Sequence, residues 1–83
     1  MRAIWTASKL KVRRRQCGLT MAELAEKVGC TRPLVSMWED GKSSPSGHLL
    51  IMLGIVLNRE PKEFYVLEVE GGDKNAVSDT QTG

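Results

Sequence analysis

The sequence predicts an all-α fold, and three observations carry that expectation. Apolar residues recur at three- to four-residue spacing from about position 8 to position 64. Helix start and stop signals punctuate them, notably Thr20 with Glu23, then Gly18, Gly29 and the Asp40-Gly41 pair. Alternating, strand-like character is confined to residues 65–70.

The first helix is expected over residues 7–17, with Leu10, Arg14 and Cys17 on one face and Gly18 as its stop. Thr20 and Glu23 then form a T-x-x-E capping box, in which each side chain bonds the other's backbone N–H. Leu19 before the cap and Leu24 at the fourth helical position make the accompanying hydrophobic staple. Leu24, Ala25 and Val28 form one apolar stripe that ends at Gly29. Thr31 caps a third helix, where Pro33 is tolerated because a first-turn N–H has no intrahelical partner. Leu34, Val35 and Trp38 supply its apolar face, and Asp40-Gly41 ends it. After a polar loop over residues 42–45, Ser46 caps a fourth helix that runs to Leu57 and is apolar almost all round. Asn58 to Glu60 break that helix, and Pro61 opens a short last turn through Phe64. From Gly71 onward periodicity is lost, and disorder is expected. The chain thus divides into an N-terminal arm (1–6), a helical domain (7–66) and a C-terminal extension (67–83) holding a short strand and a tail.

At 83 residues there is material for one core only. No apolar run approaches the roughly 18 residues of a membrane span. Residues 1–6 offer neither a long apolar segment nor a small-residue cleavage site, so export is not expected. Cys17 and Cys30 are too few for a disulfide scaffold and lack CxxC spacing, which suits a reducing, cytoplasmic setting. The net charge of +2 conceals an asymmetry: residues 1–42 hold nine of the twelve basic residues and four acids. A basic half of this kind suits either a polyanion-facing surface or a solvated cationic helix face.

Residues 21–40 meet the demands of a helix-turn-helix, with helices at about 21–28 and 32–40. Ala25 is small where the two helices cross, Gly29 accepts the positive φ of the turn, and Val28, Val35 and Trp38 lock the pair onto a shared core. Catalysis has no foothold: there is no phosphate loop, nucleophile elbow or acid pair, and His48 stands apart from any metal-ligand cluster. No enzyme, metal or cofactor is expected. Cys17 and Cys30 read as small core fillers, and Trp38 as a core anchor. The consecutive Arg13, Arg14 and Arg15 point three ways.

The stretch from Leu10 to about Phe64 resembles the Cro and lambda-repressor type helix-turn-helix family, also called the xenobiotic-response-element family. The resemblance rests on Arg14, Gly18-Leu19-Thr20, Leu24-Ala25, Val28-Gly29, Val35, Trp38-Glu39, Gly41-Lys42, Pro45-Ser46 and the leucines at 50, 53 and 57. It implies a five-helix lambda-repressor-like domain whose third helix enters the DNA major groove. Arg32, Pro33, Ser36 and Met37 then fall on the base-facing positions. Met21, at the start of the second helix, stands where relatives place a polar residue on a phosphate, leaving its backbone N–H and the helix dipole for that contact. Lys42, Ser43 and Ser44 match a backbone-contacting loop. Arg14 and Glu39 occupy positions that pair in relatives, and either Arg13 or Arg15 remains for phosphate or solvent.

The expected function is a sequence-specific transcriptional regulator, a repressor bound to double-stranded DNA as a homodimer on a palindromic operator. The alternative keeps the fold but makes it an antitoxin, with the acidic segment beyond Glu68 as the arm that holds a partner toxin. A scaffold that no longer binds DNA is a third reading. The dimer is expected through Met52 and Ile55 on the fourth helix and the turn at Asn58 and Arg59, unless that helix buries both faces beneath residues 65–69. The strand-like segment adds an intersubunit pair in this scheme.

Overall fold

The computed structural model describes residues 1–69. Left-handed residues close every α-helix in it: α1 (Ala7–Gln16), α2 (Met21–Val28), α3 (Arg32–Glu39) and α4 (Gly47–Leu57). Gly18, Gly29, Gly41 and Asn58 take φ of 72, 93, 75 and 55°. The following N–H reaches back to a carbonyl five residues earlier each time: Leu19 to Arg14, Cys30 to Ala25, Lys42 to Met37 and Arg59 to Gly54, at 2.9–3.2 Å. Glycine matters most at Gly29. Only Gly29, Cys30 and Thr31 separate α2 from α3, so a Cβ strained at that φ would disturb the crossing itself.

The capping box of Thr20 and Glu23 forms as expected, with bonds of 3.0 and 2.9 Å. Thr31 stands at the start of α3 without a side-chain cap. Pro33 removes one of the N–H groups it would accept from, and the Leu34 N–H bonds the Thr31 carbonyl instead, at 3.1 Å. Ser46 makes no side-chain cap either.

Four α-helices are present where five were expected. Residues Pro61–Phe64 make a single 3-10 turn, because the chain becomes extended again at Tyr65, φ −121°. It becomes extended to meet a partner. Residues 1–6 are no free arm: β1 (Arg2–Trp5) pairs antiparallel with β2 (Tyr65–Glu68) of the same chain, Arg2 opposite Glu68 and Trp5 opposite Tyr65. The strand-like segment therefore finds its partner within the chain, and β2 straddles the expected boundary at 66/67. Residues 70–83, which include most of the proposed toxin-holding arm and tail, lie outside the described residues.

Leu10, Leu24, Ala25, Val28, Val35, Trp38, Leu53, Leu57 and Phe64 form the core. Burying one large member contributes about 1.5–3 kcal/mol. Cys17 is exposed, not a core filler, because the chain turns at Gly18 and sends Leu19 against the core instead. Cys30 is half-buried, and burial pushes its thiol pKa up. Helix α4 could have rolled to present several faces. The face it buries holds Leu53, Gly54 and Leu57, with Leu49, Met52 and Val56 half-buried against the core. Gly54 fixes that roll: a Cβ there would lie 2.6 Å from the Arg59 carbonyl oxygen and 3.2 Å from Pro61 Cδ, where the chain doubles back.

Candidate nucleic-acid interface

Helix α3 turns Val35 and Trp38 fully inward. Its opposite side presents Arg32 and Pro33, both exposed, Met37 at 41% exposure, and the half-buried Ser36. The four predicted base-facing residues thus share one side of one helix, and Arg32 is in no ion pair among the described residues. Arg32 brings a donor fork, Ser36 a donor and acceptor, Pro33 and Met37 apolar surface.

The start of α2 offers less than its four end N–H groups suggest. The capping box uses the Thr20 and Glu23 N–H groups, which leaves those of Met21 and Ala22. Bonds from the Thr20 backbone and side chain hold the Glu23 carboxyl below the usual carboxylate range. The Met21 side chain is half-buried and packs against the core, so only its backbone faces an anion. In the loop after α3, Lys42 and Ser44 are exposed and Pro45 is buried. The Ser43 hydroxyl oxygen is shielded from solvent and has no hydrogen-bond partner. Ser43 therefore does not offer its side chain to a phosphate in this state, although sequence placed it with Lys42 and Ser44.

Arg14 and Glu39 pair as expected, through two bonds of 2.6 and 3.0 Å, and Arg14 Nη1 also donates to the Leu19 carbonyl at 2.8 Å. Their side chains are 8% and 2% exposed. The bond to Glu39, helped by its charge, raises the Arg14 pKa further against the opposing effect of burial. Arg13 is half-buried and engaged within the chain, its Nη1 donating to Gln16 Oε1 at 3.3 Å. Its Nε donates to the Leu57 carbonyl at 2.8 Å, closing the C-terminal end of α4, and only Arg15 of the trio stays exposed.

The expected dimer residues divide. Ile55 is 67% exposed and Asn58 is exposed, but Met52 turns toward the core. The exposed neighbour of Ile55 on the same face is Ile51, 57% exposed and four residues earlier. The four-residue spacing of Ile51 and Ile55 is the sequence signal for that face. Arg59 donates to the Asn58 carbonyl at 3.1 Å and lies 3.6 Å from Glu63. Ile51, Gly54, Ile55, Asn58, Arg59 and Pro61 line a shallow groove of about 400 Å³. Sequence reasoning also missed Trp5, whose indole N–H donates to the Trp38 carbonyl at 2.8 Å. Nothing near Trp5 in the chain signals that contact.

Among the described residues no cluster of His, Cys, Asp and Glu can hold a metal, His48 is exposed, and no helix is long and apolar enough to cross a membrane.

A curated relative in Methanothermobacter thermautotrophicus, described as an uncharacterized HTH-type transcriptional regulator, is 36% identical over 63 residues, or 75% of this chain and 91% of its own length. The P22 c2 repressor in complex with synthetic operator 9T superposes with a TM-score of 0.68 at 26% identity, over 70% of this chain and 88% of that one. The solution structure of that repressor's DNA-binding domain also gives 0.68, at 25% identity, over 77% of this chain and 84% of its own. The helix-turn-helix family itself matches residues 10–64, Leu10 through Phe64, which takes in α1 to α4 and the 3-10 turn. The chain belongs to the helix-turn-helix family of DNA-binding transcription regulators.

Proposed function

We propose that this chain is a repressor that occupies operator DNA in the cytoplasm as a two-fold dimer. The observation that carries the reading is the outer side of α3, where Arg32, Pro33, Ser36 and Met37 stand together over a fully buried Val35 and Trp38. An eight-residue helix fits the major groove, and Arg32 at its first turn is placed to fork onto guanine O6 and N7. Pro33 and Met37 meet thymine methyls, and Ser36 bonds either a donor or an acceptor. The Met21 and Ala22 N–H groups hold one phosphate with the α2 dipole behind them. Lys42 and Ser44 hold another beyond the recognition helix. The solved complex of the similar P22 c2 repressor with its synthetic operator supports the same docking here.

So few base readers per chain call for two copies. Ile51 and Ile55 form the exposed apolar stripe of α4, and a two-fold axis beside them and Asn58 sets two α3 helices about 34 Å apart, one turn of B-DNA. Selection of bound duplexes from a random-sequence library at two salt concentrations tests the whole reading. A palindromic consensus with half-site centres about one turn apart is expected, with affinity falling steeply as salt rises. Failure to enrich any sequence at either salt overturns it.

A further inference from the structure

Trp5 lies more than twenty residues before α3, in a strand with no place on the proposed DNA surface. Its Nε1 nevertheless donates to the main-chain carbonyl of Trp38, one residue before α3 ends, at 2.8 Å. The same carbonyl accepts the Gly41 N–H at 3.3 Å, so both of its lone pairs are occupied. The indole itself is tightly placed. Its ring centroid lies 6.0 Å from Phe64 and 5.6 Å from Tyr65, edge-on to the latter, and Trp5 stands opposite Tyr65 in the hairpin ladder. The Thr6 N–H continues that ladder to the Phe64 carbonyl at 2.9 Å.

We infer that Trp5 is a positioning residue for DNA reading: its indole N–H ties the hairpin to the backbone of α3 and sets where the recognition helix ends. This rests on the assignment of α3 as the recognition helix. The contrast with the other tie at that end gives the reason. Arg14 holds Glu39 through a carboxylate, and three rotatable bonds separate that carboxylate from the helix. A main-chain carbonyl has no such freedom, so a bond to it locates the helix frame. The other end of α3 is held by the short turn after Gly29. Eight helical residues span about 12 Å. A shift of about 1 Å at Trp38 therefore carries Ser36 and Met37 beyond the roughly 0.5 Å within which a reading site must be held. The phosphate contact at Met21 lies outside α3, and Lys42, although its N–H is bonded to the Met37 carbonyl, reaches a phosphate through a long flexible side chain, so both tolerate such a shift better.

Trp5→Phe keeps a ring against Phe64 and Tyr65 and deletes the N–H. Incorporation of benzothienylalanine at position 5 deletes it with the indole shape retained, and serves if the phenylalanine variant fails to fold. Three readouts are compared with the unaltered chain: the thermal midpoint, the orientation of α3 relative to α2 from amide residual dipolar couplings without DNA, and affinity for two duplexes. One duplex is the sequence that the unaltered chain enriches from a random library, and the other is its scramble. The expected result is a reoriented α3 and a specificity ratio lowered about fivefold, the scale of one neutral hydrogen bond, with affinity for the scramble within about twofold. An unchanged orientation and an unchanged ratio overturn the inference. So does a fall in affinity equal for both duplexes that merely follows a lowered thermal midpoint. If the unaltered chain enriches no sequence, the repressor reading fails separately, and the dipolar couplings still decide whether Trp5 positions α3.

Discussion

Arg14 of α1 and Glu39 at the end of α3 close a two-bonded ion pair between nearly dry side chains, 8% and 2% exposed. At the protein surface such a pair contributes roughly 0–1 kcal/mol. Here the third bond, to the Leu19 carbonyl, leaves the guanidinium joined to α1, the α1–α2 turn and α3 at once. Glu39→Ala strands a buried charge and is expected to cost about 3–5 kcal/mol in urea denaturation. Arg14→Lys, which loses the planar fork, is expected to recover only part of the wild-type stability. A cost below 1 kcal/mol for Glu39→Ala contradicts this account.

Gly54→Ala tests the close return of the chain over α4. The added methyl meets the rigid Arg59 carbonyl at 2.6 Å, so helix propensity and packing oppose each other. Packing is expected to win, with a loss of about 1–3 kcal/mol in chemical denaturation and a shifted Arg59 amide resonance. A stabilised variant would show that the turn at residues 58–61 moves aside freely.

Arg32 and Lys42 are predicted to fail differently. Arg32→Ala is expected to cost about 1–3 kcal/mol on the selected duplex and to flatten preference at one base pair. Lys42→Ala is expected to weaken all duplexes alike and to reduce the salt slope by about one unit. Titrations of matched, single-substituted and scrambled duplexes separate the two. Equal losses on every duplex for Arg32→Ala would make it a phosphate contact.

Ile55→Glu places a charge on a side chain that is 67% exposed in the single chain. Stability of the monomer is expected to change by no more than about 0.5 kcal/mol. If the proposed two-fold dimer forms through this stripe, sedimentation is expected to show its loss in the variant, with operator affinity falling at the same time. Persistence of the dimer in both Ile55→Glu and Ile51→Glu would place the two-fold axis elsewhere.

Much of the helix-turn-helix is legible because its determinants are local. The capping box needs residues three apart, the stop at Gly29 needs one residue, and the stripe of Val35 and Trp38 needs one turn of helix. The Arg14–Glu39 pair is not local. It was reached through resemblance to relatives, which had already brought the two positions together.

What the sequence by itself determined is the order of α1 to α4 and their extent to within about a residue, since helix start and stop signals act within a few residues. Three features were decided only in the tertiary structure. The hairpin joins Arg2 to Glu68: residues 65–68 read as strand-like in the sequence but their partner Arg2–Trp5 does not, and neither four-residue strand is stable without the other. The roll of α4 has no encoded direction, because a helix apolar almost all round has no preferred face. The return of the chain at Arg59 and Pro61 over Gly54 chooses one, turning Met52 in and leaving Ile51 and Ile55 out. Arg13 and Trp5 find their partners in main-chain carbonyls of Leu57 and Trp38. A carbonyl is common to every residue, so no side-chain pattern can announce such a bond before the chain has folded.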